Sequence, residues 1–171
     1  SREDQDLFEY NSQQKAFSAQ QSGRFDLEIV PVELTDKKGI VSVFSKDEFI
    51  KGNTSLEKLS ALRPAFKKES GSVTAGNASG LNDGSAALFL ASEKAVKQYS
   101  LKTLARIVSS AVVGVEPRIM GIGPVMATQK ALKKAGLTID DMDVIELNEA
   151  FASQSLACIR ALGLADNDSR I

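Results

Sequence analysis

The chain of 171 residues contains no histidine and a single cysteine, Cys158. Without histidine it supplies no imidazole base, and one cysteine excludes an internal disulfide framework, which fits a reducing compartment. No apolar run approaches the ~20 residues that a membrane helix needs. Residues 1–6 are too acidic and polar for a signal or transit peptide. We therefore expect a cytoplasmic protein without a membrane segment.

The chain also carries almost no excess charge. Its net charge of −1 argues against nucleic acid as a partner, because a phosphate backbone demands clustered positive charge. A hydrophobic content of 43% and a charged content of 25% are typical of a soluble globular protein. A chain of this length can bury an ordinary core.

Caps, turns and apolar patterns predict short elements in the first 80 residues. Ser1 is a good helix cap, and Pro31 restricts its segment to a sheet edge. A small, Gly-rich run follows from residue 69 to residue 84. The predicted elements are a helix from Ser1 to Gly23, strands over 25–32 and 40–44 with a turn at 37–39, and a helix over 55–62.

Strands and helices alternate in the rest of the chain. Such alternation predicts an α/β fold, with a parallel or mixed sheet covered by helices. We expect boundaries near Leu81 and Ser100. The predicted elements are strands over 86–91, 104–113 and 144–147, and helices over 92–99, from Pro124 to Gly136, and over 149–162.

The stretch from Asp143 to Phe151 carries the strongest functional signal. An apolar run meets the polar pair Asn148-Glu149, and a helical pattern begins immediately after it. α/β folds commonly place ligand-handling groups at such a junction. Asn148 could cap the helix, or its amide could donate to a developing negative charge. Glu149 suits the helix dipole, and we do not expect it to act directly in catalysis.

The motif Asn148-Glu149-Ala150-Phe151 after such a strand resembles the thiolase family, enzymes that form or cleave a carbon–carbon bond between coenzyme A thioesters. The resemblance runs through essentially the whole chain. It implies that Asn148 helps to form an oxyanion hole by holding a water. It also implies that Ala150 and Phe151 line the acyl pocket, although Phe151 could equally be a core residue.

The small residues from Ala75 to Gly80 allow a backbone to approach a ligand closely, although composition alone favours a surface loop. The run resembles the thiolase segment beside pantetheine, the amide-rich arm of coenzyme A. The resemblance implies that Ala75, Ala78 and Ser79 face this arm and that the Ser79 hydroxyl bonds one of its amides. Asn82-Asp83-Gly84 matches too, and we interpret it as structural.

A basic segment lies upstream of this run. Lys51, Lys58 and Arg63 offer positive charge, and Phe66 offers an apolar face, which together suit phosphates and an adenine. A solvated basic face is the alternative interpretation. In thiolases this region covers the nucleotide end of coenzyme A. The resemblance therefore assigns Lys51 and Phe66 to that end, with Lys58 as a secondary candidate.

Met120 lies among two glycines and a proline in residues 118–124. The glycine spacing fits neither Gly-x-Gly-x-x-Gly nor a P-loop, so phosphate binding is not expected. The corresponding methionine of thiolases reaches the acyl end of the site, and Met120 is therefore a predicted pocket residue.

The resemblance also defines what the chain does not carry. Thiolases use a nucleophilic cysteine, a Gly-His-Pro histidine and a second, acid/base cysteine. Cys158 lies in the middle of a predicted helix among apolar neighbours, as a small core residue does, with no feature that would activate it. By motif, residues 1–80 are part of the thiolase loop region covering coenzyme A, 81–103 the last strand and helix of the N-terminal half, and 104–171 the beginning of the C-terminal half.

The sequence thus predicts an internal fragment of an acyl-CoA C-acyltransferase that works through a cysteine acyl-enzyme but is inactive alone. Coenzyme A thioesters are the expected substrates, with no metal and no covalently bound cofactor, and the full-length family implies a homo-oligomer, dimeric or tetrameric. The alternatives are a coenzyme A-binding module without activity and a purely structural fragment. The residues at 145–148 and 165–168 favour thiolases acting on 3-oxoadipyl-CoA, while acyl-chain preference stays open.

Overall fold

The computed structural model describes residues 1–82 and 87–171. The chain divides into two units. The first unit comprises Ser1–Gly80 together with Asn148–Leu156, and the second comprises Leu81–Leu147 together with Ala157–Ile171. The first unit is therefore built from two stretches that are far apart in sequence.

Helix α1, Arg2–Gln21, opens the first unit. Ser1 Oγ accepts a hydrogen bond from Asp4 N at 3.1 Å, and the Asp4 carboxylate accepts one from the terminal ammonium at 3.0 Å. This capping box satisfies backbone donors that no helical carbonyl can reach. After the helix, Gly23 adopts a left-handed φ of 72°. The predicted first helix and its stop are confirmed.

A β-hairpin follows, formed by antiparallel strands β1, Val32–Thr35, and β2, Val41–Phe44. Asp36 Oδ1 orders its turn by accepting bonds from Lys38 N at 2.8 Å and Ile40 N at 2.9 Å. All residues of both strands are exposed. The prediction of the second strand is confirmed.

The predicted strand over residues 25–32 is wrong. The amides of Glu28 and Ile29 both bond to the carbonyl of Phe25, so this stretch forms turns instead of an extended ladder. Pro31 has no amide to donate, and pairing begins only after it, at Val32.

Helix α2, Leu56–Ser60, is capped by Ser55, whose Oγ accepts from Lys58 N at 3.3 Å. The predicted helix at this position is confirmed. The buried apolar residues of the first unit are few: Leu59, Ala152 and Leu156. Buried polar residues accompany them, namely Gln5, Asp6, Thr74, Asn77 and Ser155. The interior of this unit is therefore polar to an unusual degree.

Five helical segments begin in the second unit or run into it. Helices α3 and α4 and the last helix, α5, confirm the helices predicted here, although α5 starts later than expected. Gly136 ends α4 with a φ of 70°. The bounds are α3, Glu93–Gln98; a 3-10 helix, Pro117–Ile122; α4, Gly123–Ala135; a 3-10 turn, Ile139–Asp141; and α5, Ala152–Ala161.

The predicted strands at 86–91, 104–113 and 144–147 are wrong for the described residues, none of which lies in a strand there. Residues 109–113 alternate between half-buried and exposed, as a strand does, but they lie along α4. Ser109 Oγ donates to Ala131 O at 2.9 Å, and Lys134 Nζ donates to Ser110 O at 3.0 Å. Lysine ammonium groups thus bind carbonyls that a neighbouring strand would otherwise bind.

Arg170 joins the end of the chain to the 3-10 turn Ile139–Asp141 in the second unit. Arg170 donates to the Asp168 carboxylate at 2.7 and 2.9 Å and to Ile139 O at 3.0 Å. The hydrogen bonds that the Arg170 side chain and backbone amide donate to Asp168, followed by the charge of Arg170, lower the pKa of Asp168 to about 2. Ile145 N donates to Arg170 O at 2.7 Å, which ties the 139–145 segment to the chain end.

The core of the second unit contains Val125, Cys158, Ile159 and Leu164. Cys158 is fully buried, and its thiol lies 3.3 Å from the carbonyl oxygen of Gly121, to which it donates. The prediction that Cys158 is a core residue is confirmed. Within residues 1–82 and 87–171, no helix is long and apolar enough to cross a membrane.

Candidate functional site

The run Ala75–Gly80 and the turn after Asn148 meet in the first unit. Ala78 and Phe151 form an antiparallel β-bridge, and Ser79 N donates to Ala150 O at 3.0 Å. Ala152 N donates to the carbonyl oxygen of Asn77, also at 3.0 Å. The structure thus brings four of the sequence-predicted site residues together: Ala78, Ser79, Ala150 and Phe151.

Asn148 itself precedes this pairing and is exposed. Because α5 begins at Ala152, the cap position belongs to Phe151. The interpretation of Asn148 as a helix cap is therefore wrong. Asn148 is therefore a solvent-exposed residue of the turn before α5. Phe151 is 37% exposed, so it is not a core residue.

Glu149, the next residue, is tied to α1. Ser12 Oγ donates to Glu149 Oε2 at 2.6 Å. The sequence suggests that this carboxylate interacts with the dipole of the following helix, but its hydrogen bond instead anchors the turn to the first helix. This contact joins residues separated by 137 positions.

Asn77 is the most fully bonded side chain near the site. It is 1% exposed. Its Oδ1 accepts from Thr74 N at 2.8 Å, and its Nδ2 donates to Ser72 O and to Asp6 Oδ1, each at 3.0 Å. The amide thereby folds residues 72–77 into a compact turn immediately before the segment that pairs with Ala150.

Asp6 in turn pairs with Arg2. Arg2 Nε donates to Asp6 Oδ2 at 2.8 Å, and its Nη2 donates to the carbonyl oxygens of Leu59 and Leu62 at 2.7 and 3.1 Å. Positive charge at these carbonyls is favourable, because the C-terminal end of α2 carries partial negative charge.

Sequence reasoning missed these residues because a polar stripe on a helix normally faces solvent. The available signal was the i, i+4 spacing of Arg2 and Asp6, continued by further polar residues at helical intervals. In the structure this stripe faces inward, and its contacts are Arg2 with Leu59 and Leu62, Asp6 with Asn77, Gln13 with Lys51, and Gln20 with Asp47.

Glu9 lies in the same stripe and is half-buried. Burial raises the pKa of its carboxyl above the ordinary value of 4.5, and the nearby charges of Glu149 and Asp6 raise it further. The hydrogen bond from Gln13 Nε2, at 2.9 Å, opposes this rise. Gln13 Oε1 accepts a hydrogen bond from Lys51 N at 2.7 Å. Helix α1 therefore also holds the backbone of Lys51, a residue predicted to bind coenzyme A.

Replacing Glu9 by glutamine should flatten the pH dependence of stability. A carboxyl whose pKa is raised on folding stabilises the protein fully below its unfolded pKa, and this contribution is lost as pH rises through the folded pKa. Glutamine has no such titration and keeps an acceptor for Gln13. The free energy of unfolding in urea should therefore rise for Glu9→Gln relative to the wild type between about pH 4 and about pH 8. Parallel curves for the two proteins would contradict this, and Glu28→Gln, at an exposed position, is the control.

The predicted nucleotide-binding residues are exposed in the first unit, where Lys51 and Phe66 lie on loops and Lys58 lies in α2. The Lys51 ammonium donates to Glu48 O at 2.7 Å, and that of Lys58 to Asn53 O at 2.6 Å. Phe66 is 78% exposed and lines an open concavity of about 270 Å³, together with Lys67, Ser70, Gly71, Ser72 and Val73. A larger concavity, of about 390 Å³, lies around Phe25 and Pro31 and contains no predicted site residue.

The remaining sequence-predicted residues are Met120, Ala75 and the motif Asn82-Asp83-Gly84. Met120 belongs to the second unit, in the 3-10 helix Pro117–Ile122, and is 75% exposed. Ala75 is an exposed residue of the first unit. Of the predicted structural motif Asn82-Asp83-Gly84, the last two residues lie outside the described part of the chain. The described side chains form no cluster of cysteine, aspartate or glutamate suited to a metal ion.

Comparison with known families assigns the chain to a class. Residues 1–94 match the family model of the thiolase N-terminal domain, and residues 101–170 match that of the thiolase C-terminal domain. Together these two matches cover nearly the whole chain. The chain therefore belongs to the thiolase family.

Similar individual proteins bear names from the same family. A beta-ketoadipyl-CoA thiolase from Acinetobacter baylyi is 57% identical over 170 residues, which are 99% of this chain and 42% of that protein. The crystal structure of the Bacillus anthracis acetyl-CoA acetyltransferase superposes with a TM-score of 0.90 at 50% identity, over 96% of this chain and 41% of that one. Human mitochondrial 3-ketoacyl-CoA thiolase gives a TM-score of 0.84 at 46% identity, over 96% and 41% of the two chains.

These comparisons define the fold and its extent. The helices and the small antiparallel sheet form part of the α/β thiolase fold. The chain spans about 42% of the length of the curated relatives it matches.

Proposed function

We propose that this chain supplies the coenzyme A cradle and one oxyanion-hole donor of an acyl-CoA C-acyltransferase that forms or cleaves 3-ketoacyl-CoA. The observation that carries the proposal is the pairing of residues 77–79 with residues 150–152. It joins the segment assigned to pantetheine to the turn that bears Asn148. Membership of the thiolase family supports the reaction class.

In the proposed cleavage reaction, a cysteine thiolate attacks the keto carbon of the 3-ketoacyl thioester. The bond between the second and third carbons of the acyl chain breaks, and protonation of the departing carbon gives acetyl-CoA. Coenzyme A then takes the acyl group from the cysteine sulfur. Asn148, exposed on its turn, holds a water that donates a hydrogen bond to developing negative charge on the thioester oxygen.

The other residues of the first unit bind the substrate in this proposal. Ala75 and Ala78 are small enough for pantetheine to lie against the backbone, and the Ser79 hydroxyl bonds one of its amides. Lys51 meets the phosphates, while the exposed ring of Phe66 offers a flat surface to adenine. The name of the Acinetobacter relative favours a 3-oxoadipyl type of thioester. We further propose a cytoplasmic, homo-oligomeric enzyme.

The chain alone should not turn over substrate. It has no histidine, and the thiol of Cys158 is fully buried and donates to a backbone carbonyl. This observation favours a second candidate function, coenzyme A binding without catalysis. Both candidate functions predict no turnover when this chain is incubated with acetoacetyl-CoA and coenzyme A. Production of acetyl-CoA would contradict both, because it would require a nucleophile other than Cys158.

A calorimetric titration with coenzyme A tests the cradle. We expect saturable binding at one site, and Ser79→Ala should weaken it roughly 2-fold to 10-fold, the effect of losing one ordinary hydrogen bond. Ser42→Ala, an exposed serine of the hairpin, is the matched control and should leave the affinity unchanged. A folded chain that releases no heat with coenzyme A would refute the cradle.

A further inference from the structure

Three side chains of the first unit, Arg2, Asp6 and Asn77, form a polar cluster with no role in the proposed chemistry, and the backbone amide of Thr74 donates to it. Asp6 is 3% exposed, Thr74 is fully buried and Asn77 is 1% exposed. The cluster joins the first turns of α1 to a loop that lies 71 positions away in sequence. None of these side chains is assigned to a substrate atom in the proposed function, so any contribution to binding must act through other groups.

Such a cluster is energetically expensive to build. Burying a carboxylate and an amide costs several kcal/mol unless every polar atom finds a partner. Here both Asn77 amide hydrogens and its oxygen are bonded, and both Asp6 oxygens accept. A fully satisfied buried network has strict geometry, because a shift of any member leaves another without its partner. The cluster is therefore suited to fixing the position of a backbone.

The backbone that it fixes is that of the candidate site. The Asn77 side chain bonds Thr74 N and Ser72 O, while its own carbonyl accepts from Ala152 N. One residue later, Ala78 bridges Phe151. The position of Asn77 thus determines which residue of 77–79 meets which residue of 150–152.

We propose that Asn77, held by Asp6, is a positioning residue that sets the register between the pantetheine segment and the turn bearing Asn148. Its effect on coenzyme A rests on the proposed function, whereas its effect on the register does not. Asn77 acts through the backbone amides of Ser79 and Ala152, which bond Ala150 O and Asn77 O in this register.

The test uses an exchange of side chains between positions 6 and 77 in the 171-residue chain. Asn77→Asp places two carboxylates 3.0 Å apart and also removes the donor to Ser72 O. Combining it with Asp6→Asn restores an amide–carboxylate hydrogen bond in the reverse direction and leaves an oxygen for Arg2. The double variant should therefore recover part of the amide protection and the coenzyme A affinity that Asn77→Asp loses. A side chain that only filled space would give no such recovery.

The first readout is amide hydrogen exchange measured by NMR. Asn77→Asp should speed exchange at Ser79 and Ala152 by about tenfold relative to the amides of α4, and the double variant should slow it again. Asn11→Asp makes the same chemical change at an exposed position of α1 and should change neither amide. Unchanged exchange in Asn77→Asp, or no recovery in the double variant, would overturn the proposal. If Asn77→Asp does not fold, Asp6→Asn alone should speed the same two amides, and its failure to do so is equally decisive.

Coenzyme A affinity is the second readout and separates the two proposals. If the wild-type chain binds coenzyme A, Asn77→Asp should weaken binding and the double variant should recover part of it. If the wild-type chain binds none, the proposed cradle fails, yet the exchange rates still decide whether Asn77 sets the register. Equal affinity in all three proteins, with binding intact, would refute the link from register to ligand.

Discussion

Replacing Asp6 by alanine should destabilise the first unit by roughly 3–5 kcal/mol, because it removes the paired carboxylate from a largely buried guanidinium and one acceptor from a buried amide. The side chains of Arg2 and Asp6 are only 20% and 5% exposed. Asn77 Nδ2 would lose one of its two acceptors. The fluorescence of Tyr10, in α1, reports unfolding of this unit once Tyr99, the only other tyrosine, is changed to phenylalanine.

The chain offers a matched control for this experiment. Arg24 and Glu28 form an ion pair with the same i, i+4 spacing, but their side chains are 67% and 59% exposed. Glu28→Ala should therefore cost less than about 1 kcal/mol, since water screens an exposed pair. Equal losses from the two substitutions would show that burial adds nothing to the Asp6 pair, contrary to our expectation.

Gly71→Ala should have the second large effect. A Cβ at this position would lie 2.2 Å from the carbonyl oxygen of Lys67 and 2.8 Å from Pro64 Cβ. A backbone oxygen cannot rotate away, so the loop must move, at a cost of about 1–3 kcal/mol or more. Ala65 N donates to Val73 O at 2.8 Å across the same loop, and this amide should exchange faster in the variant.

Gly114→Ala is the control for Gly71→Ala. No atom of the described residues lies within 4 Å of a Cβ at Gly114, and its φ is not in the left-handed region. Alanine there should be neutral or stabilising by up to about 1 kcal/mol, because it restricts the unfolded chain. Urea unfolding measures both variants. If Gly71→Ala is as stable as Gly114→Ala, the expected steric contact at position 71 does not destabilise the protein.

Local signals are sufficient to predict most of the α-helices. Ser1, Ser55 and Ser92 each accept a bond from an amide in the first turn of their helix, and Gly136 ends α4 in a left-handed conformation. A cap bonds groups only three residues away, so its sequence pattern contains most of the information that determines it. The sequence pattern places the start of α5 too early because the pairing of Phe151 with Ala78 delays the helix, and that pairing is not local.

Strands depend on partners that a local pattern does not contain. Residues 104–113 are rich in β-branched side chains, yet among the described residues nothing pairs with them as a strand. The alternation of exposure survives over 109–113 because one face lies on α4. Composition thus predicts the side-chain pattern correctly and the backbone pairing wrongly.

The candidate site also combines features that the local sequence predicts with features that depend on distant residues. The motif at Asn148 and the run Ala75–Gly80 are contiguous in sequence and can be recognised directly. Asp6 and Asn77 are not predicted as partners, because they are 71 positions apart and each is a common surface residue type. Their role depends on burial, which only the folded chain reveals.

The discontinuous first unit has a consequence for biosynthesis. A ribosome that has completed Gly80 must still translate through Leu156 before the unit has all its residues. At roughly 5–20 residues per second, this takes on the order of 4–15 s, whereas a helix such as α1 forms in about a microsecond or less. The nascent α1 therefore keeps Ser12 in water until Glu149 is made. The fast local folding of α1 therefore cannot complete this unit, which must wait for the synthesis of Asn148–Leu156.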